Sequence, residues 1–188
     1  MKIRKSRVCT QVLEKGQKYH MEPKNEQSKR DIAKALISLM REEDYAKITN
    51  KDITDRAKLS HITYYRNFKS KDEIIQYYLH DITDSFIERT KVNYDMLPFH
   101  DYLVILFTHL YEQRELGELL LSAGFIHYVK DEFDRIFSAK AKSHNELYSR
   151  YFVAGGLYNL YYVWLKNGCK ESPEELADLF MDFRVGNA

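Results

Sequence analysis

Between Thr49 and Glu73 the chain reads TNKDITDRAKLSHITYYRNFKSKDE, two helix starts so close together that only a turn fits between them. Thr49 stands three residues before Asp52, the spacing at which a hydroxyl and a carboxylate each satisfy an orphan backbone donor of a new helix. Ile53 and Ala57 give that helix an apolar face. Ser60 is a second candidate N-cap, and Lys58 and Leu59 are left to make a sharp turn. The spacing predicts a helix-turn-helix. Its second helix carries His61, Thr63, Tyr64, Tyr65, Arg66 and Asn67, side chains suited to phosphate oxygens and base edges. Tyr64 and Phe68 also suit the inside of a small helical core.

The charge is divided along the chain. Through Asp72 there are 18 Lys and Arg against 10 Asp and Glu, and the remainder holds 11 against 18. A basic front and an acidic back suit a protein whose front alone meets a polyanion. Cys9 and Cys169 make neither a metal pattern nor a disulfide framework, which suits a reducing cytoplasm. No apolar run approaches the roughly 20 residues that span a bilayer, and no apolar segment follows the basic start, so neither a membrane span nor a secretory signal is expected.

The rest of the chain has helical periodicity and no useful alternation of period two, which predicts an all-α fold. Residues 1–27 form a basic extension, read either as an arm that reaches DNA or as a solvated tail. Residues 28–75 form a DNA-binding head, with a first helix from Ser28 to Glu43. Residues 76–188 form a larger helical body. A helix from Lys71 to Lys91 connects the two, and Pro98 opens further helices over 99–114 and 116–137, the latter split near Ser122–Gly124. Ser143 to Lys166 is a long helix, stopped by Asn167-Gly168. Ser172-Pro173-Glu174-Glu175 caps the last one.

In the run from Ile32, Ala35, Leu36 and Leu39 through Thr49, Ile53, Ala57, Ser60, Thr63, Tyr65, Phe68, Ser70, Lys71 and Asp72, the chain resembles the TetR family of bacterial transcription regulators. It departs from the family where relatives carry Gly, at Asp44, Lys58 and Ile62, and where they carry Ala, at Thr54. Asp tolerates a left-handed backbone better than most residues, which makes Asp44 an understandable substitute. The C-terminal run FVAGGLYNLYYVWLKNGCKESPEELADLF resembles a subgroup that includes regulators of dihydroxyacetone kinase. The resemblance implies a homodimeric repressor that binds a palindromic double-stranded DNA operator and responds to a small-molecule effector, although the family also contains activators.

By the same resemblance Thr49, Ser60, Tyr65 and Lys71 are candidates for phosphate contacts. His61, Thr63, Tyr64, Arg66 and Asn67 are candidates for phosphates or bases. Gly155-Gly156 inside a long helix costs roughly 1 kcal/mol per Gly relative to Ala, and close approach of another helix is a reason for it. In the family the last two helices form a four-helix dimer interface, which implies Leu147, Tyr151, Ala154, Gly155, Tyr158, Leu176, Phe180 and Phe183 here. The aromatic residues Tyr102, Phe107, Phe125, Tyr128, Tyr161 and Trp164 either line an effector pocket or form ordinary core.

No histidine pair has the spacing of a zinc site, and no metal or cofactor is expected. There is no glycine-rich phosphate loop, nucleophile elbow or acid-histidine pairing, so an enzyme is not expected. The competing reading is a helical protein-interaction module that has lost operator binding, for which Lys58 and Ile62 are the best support.

Overall fold

The computed structural model describes residues 24–91, 97–139 and 141–185, which are helical with no strand among them. They divide into two compact units, within Gln17–Asp84 and Ser85–Ala188. The first holds α1 (Lys24–Met40), α2 (Asn50–Ala57), α3 (His61–Asn67) and most of α4 (Lys71–Thr90). The helix α1 begins at Lys24 rather than Ser28, because Glu26 pairs with Lys29 at 2.8 Å and adds a turn of polar helix. It stops at Met40 rather than Glu43, where the amides of Glu42 and Glu43 both turn back to the Leu39 carbonyl. The other expected residues of the basic extension lie outside the described residues.

The head is built on α1. Ile32, Ala33, Leu36 and Met40 are buried with Ile48, Ile53, Tyr64, Phe68, Ile74 and Ile75. Each large side chain of this kind contributes roughly 1.5–3 kcal/mol when fully buried. Arg30 donates to Asp81 at 2.8 Å, tying α4 to α1, and Arg56 forks onto Glu42 with two 2.7 Å bonds, tying the end of α2 to the segment after α1.

The body contains the end of α4, α5 (Phe99–Glu112), α6 (Arg114–Ser122), α7 (His127–Ser138), α8 (His144–Lys166) and α9 (Pro173–Val185). The expected helices are present, and the segment after Gln113 is two helices broken at Gly124, whose φ is +83°. Ser143 and Ser172 cap α8 and α9, each accepting the amide of the Glu three residues on; the Glu175 carboxylate accepts the amide of Ser172, and the Glu146 carboxylate that of Lys142, just before the cap. In the body α7 packs along α8, and α9 packs against α5.

Two glycines mark close approaches. A Cβ on Gly156 would lie 3.2 Å from the Phe180 ring, so this glycine lets α9 close on α8. A Cβ on Gly117 would land on the Tyr161 hydroxyl oxygen and 3.1 Å from Leu165. Tyr161 is buried and has little room to move. Gly117→Ala should therefore destabilise the protein by about 1–3 kcal/mol. Tyr161→Phe, which removes the obstructing oxygen, should recover part of that loss. Thermal unfolding of the four proteins as a double-mutant cycle checks it, and strict additivity would refute the contact.

Candidate nucleic-acid interface

The turn between α2 and α3 is made without glycine. Lys58 sits at φ 55°, ψ 40°, in the left-handed region, and the Leu59 amide reaches back to the Thr54 carbonyl at 3.0 Å, closing a C-terminal cap. Asp44, by contrast, does not take up a left-handed backbone; its carbonyl accepts the Lys47 amide at 2.9 Å in an ordinary turn. Thr54, where relatives carry Ala, is buried with its hydroxyl satisfied by the Lys51 carbonyl at 3.0 Å.

The orientation of α3 follows from what it buries. Tyr64 is fully buried and Phe68, just past the helix, nearly so. Asn67 faces the same way, its amide nitrogen donating to the Thr63 carbonyl at 2.8 Å. With these turned inward, the helix presents His61, Ile62, Tyr65 and Arg66, all exposed. At ~100° per residue these four follow one another round an arc of roughly 140°. The Tyr65 ring packs edge-on against Tyr64, with centroids 5.2 Å apart, and its hydroxyl accepts the Asn50 amide at 3.3 Å.

The candidate DNA contacts therefore separate into two groups. His61, Tyr65 and Arg66 share the open arc. Tyr64 does not: it belongs to the core, where its hydroxyl has no hydrogen-bond partner among the described residues and burial pushes its pKa up. Asn67 is likewise turned inward. Thr49 and Ser60 lie on the surface as caps. The Thr49 hydroxyl accepts the Asp52 amide at 3.2 Å and lies 2.6 Å from the Asp52 carboxylate. The hydroxyl bond, with that from the Thr49 amide at 2.8 Å, holds the Asp52 carboxyl below the usual carboxylate range. Ser60 Oγ accepts the Thr63 amide at 3.2 Å and lies 3.0 Å from the Thr63 hydroxyl.

Lys71 is also committed to structure. Its ammonium donates to the carbonyls of Tyr45 and Ile48, each at 2.7 Å, and lies 4.2 Å from the centre of the Tyr45 ring. Tyr45 in turn donates a short hydrogen bond to Asp72. The residues that sequence reasoning omitted are Asn50 and Ile62. Asn50 follows the cap as the first helical residue, a position that gave no sign of its reach to Tyr65. Ile62, which stands at a position read as a departure from glycine, is 72% exposed.

In the body the aromatic candidates do not gather at one point. Tyr102, Phe107, Tyr161 and Trp164 are buried. Trp164 meets Phe107 edge-on and donates its indole N–H to the Glu171 carbonyl at 3.1 Å. Phe125 and Tyr128, half-buried, stack on each other with centroids 6.0 Å apart. His109 stacks on Phe86 at 4.2 Å and its Nδ1 has no hydrogen-bond partner among the described residues. Burial, reinforced by Arg89, pushes its pKa down to about 4, so the imidazole is neutral at pH 7.

The candidate dimer residues also divide. Ala154, Leu176 and Phe180 are covered inside the protomer and are not available to a partner. Leu147 and Tyr158 are half-buried, while Tyr151 and Phe183 are exposed. Gly155 has nothing within 4 Å of where a Cβ would stand. The open apolar stripe of α8 is instead Tyr148, Phe152 and Val163 with Gly155 among them, and α9 adds Leu179 and Phe183.

Residues 99–185 match a TetR-type family model described as a transcriptional regulator C-terminal region. Among solved structures, a TetR transcriptional regulator from Streptococcus agalactiae 2603V is similar with TM-score 0.61 and 21% identity, over 85% of this chain and 94% of that one. The dihydroxyacetone kinase operon activator DhaS is similar with TM-score 0.58 and 18% identity, over 85% and 95%. At these identities the likeness is one of fold. The sequence matches no curated protein.

Two substitutions test the geometry of the head. Lys58→Gly should stabilise it by about 1 kcal/mol, since a side chain in the left-handed region costs roughly 1–2 kcal/mol and the larger unfolded-chain entropy of glycine takes back part of the relief; urea unfolding reads this directly. Lys71→Ala should destabilise by about 1–3 kcal/mol through loss of two charge-assisted hydrogen bonds. Unchanged stability with a shallower salt dependence of DNA binding would return Lys71 to the phosphate contacts.

Proposed function

We propose that this chain, which belongs through residues 99–185 to the TetR family of transcriptional regulators, is a homodimer that grips a palindromic double-stranded DNA operator with two copies of the α3 face. The observation that carries this reading is the open arc of His61, Ile62, Tyr65 and Arg66, held outward by buried Tyr64 and Phe68. Arg66 and His61 supply donors for base edges or phosphates, and Tyr65 a fixed hydroxyl. In a dimer, two such helices about one turn of duplex apart read a palindrome, each half-site contributing modest affinity.

Dimerisation is supported by the stripe of α8 and α9. Phe152 is 79% exposed, Tyr148 69% and Phe183 57%, and apolar side chains aligned this way on adjoining helices have the character of an interface. Gly155 leaves room for a partner helix to approach. An effector acts by binding one arrangement of the body better than another, since equal affinity shifts nothing. The neutral His109, with an unsatisfied Nδ1 on an aromatic wall, is a hydrogen-bonding handle for such a ligand. Repression is the simplest output of a protein that occupies an operator, and DhaS, named as an operon activator, has the same fold.

Light scattering should give a dimer at micromolar concentration. Phe152→Glu, at an exposed position, should shift it to monomer without loss of helicity and weaken operator binding by at least tenfold. Gel shifts against the DNA upstream of the protein's own gene, over a salt series, should show binding that unrelated duplex does not compete and that falls steeply with salt. Equal weak binding to every duplex at every salt would instead identify an interaction module without operator recognition.

A further inference from the structure

We infer that Ile62 reads the 5-methyl group of thymine in the major groove, so that each half-site contains a thymine whose methyl the protein requires. This rests on the DNA-reading role of α3 proposed above and adds a specificity determinant to it. A single exposed aliphatic side chain is ordinary on a protein surface. Ile62 is distinguished by where it stands. It lies within the open arc of α3, between Tyr65 and Arg66 in angular order, and it is 72% exposed with Tyr65 beside it at 64%.

The neighbours of Ile62 limit what it can meet. Tyr65 is held by Asn50 and by the ring of Tyr64, so the apolar side of the arc does not fold away onto the head. Ile is branched at Cβ and has essentially one χ1 rotamer in a helix, so its methyl groups are presented with little entropy left to lose. The other exposed arc residues, His61 and Arg66, bring polar groups. On the edges of an unmodified duplex in the major groove the apolar group is the thymine C5-methyl; the remaining features are donors and acceptors. A branched aliphatic side chain set among polar readers therefore complements thymine and leaves the donor of cytosine unmet. The methyl of 5-methylcytosine has the same chemistry and separates methyl contact from readout of the rest of the base.

The test uses the full-length dimer and duplexes it enriches from a randomised pool. Each thymine of the enriched site is replaced in turn by deoxyuridine, which removes only the methyl group, and affinity is read by fluorescence anisotropy. One symmetric position should lose about fourfold in affinity for each methyl removed. At that position 5-methylcytosine should bind better than cytosine by a similar factor. Ile62→Ala, at an exposed site and with unchanged thermal unfolding, should bind the thymine and uracil duplexes equally. Wild-type affinity unaffected by uracil at every thymine would overturn the inference, as would an undiminished uracil penalty in Ile62→Ala, and either result leaves operator recognition by α3 standing. Failure to enrich any sequence would overturn operator recognition itself and this inference with it.

Discussion

A seven-residue helix has too few internal hydrogen bonds to offset the cost of its own nucleation, so α3 depends on the burial of Tyr64 and Phe68 in the head. That burial sets more than stability. With Tyr64 inside, the helical repeat turns His61, Ile62, Tyr65 and Arg66 outward and takes Asn67 out of reach. Rotating the helix by one residue would expose the Tyr64 ring and bury Tyr65 or Thr63 in its stead. The left-handed Lys58 supports the same arrangement from the other side, because it ends α2 abruptly enough for Ser60 to begin α3 two residues later. The head thus makes a tight turn without glycine, at the cost of backbone strain in a lysine.

Caps were legible in the sequence because their chemistry is local. Thr49 with Asp52, Ser60, Ser143 with Glu146 and Ser172 with Glu175 all bond as their spacing predicts. The same locality leaves roles less legible. A hydroxyl or an ammonium suited to a phosphate is equally suited to a backbone group, and Thr49 and Lys71 are engaged by the protein itself. Only the three-dimensional course of residues 45–48 brings two carbonyls to the Lys71 ammonium, and nothing in the spacing of a lysine announces that. Asp44 failed for a related reason: tolerance of a left-handed backbone is permission, and the turn there did not require it.

The body was legible in its helices and less so in their faces. The helix α8 carries apolar side chains around much of its circumference, so threes and fours along the sequence fit more than one stripe. The stripe through Ala154 is the inner one. The stripe through Tyr148, Phe152 and Val163 is the outer one, and the two adjacent glycines serve different sides. Gly156 admits the Phe180 ring of the same chain, while Gly155 opens outward. The charge division needs a similar refinement. Residues 1–23 contribute half of the excess positive charge counted through Asp72, so the described head is less basic than the front of the chain as a whole. Its acidic residues are partly spent on lysine and arginine neighbours: Asp55 on Lys51, Glu42 on Arg56, Asp81 on Arg30.

The helix α4 supplies side chains to the core of both units. Its first half contributes Ile74, Ile75 and Leu79 to the head, and Phe86 near its end stacks on His109 in the body. Between those contacts the sequence has no proline or glycine, the residues at which long helices usually kink, so the backbone is unbroken from Lys71 to Thr90. Its other end begins at Lys71, whose ammonium fastens it to the carbonyls of Tyr45 and Ile48 immediately before the cap of α2. Lys71, a candidate for phosphate, thus also fixes the start of α4 to the segment that launches the helix-turn-helix.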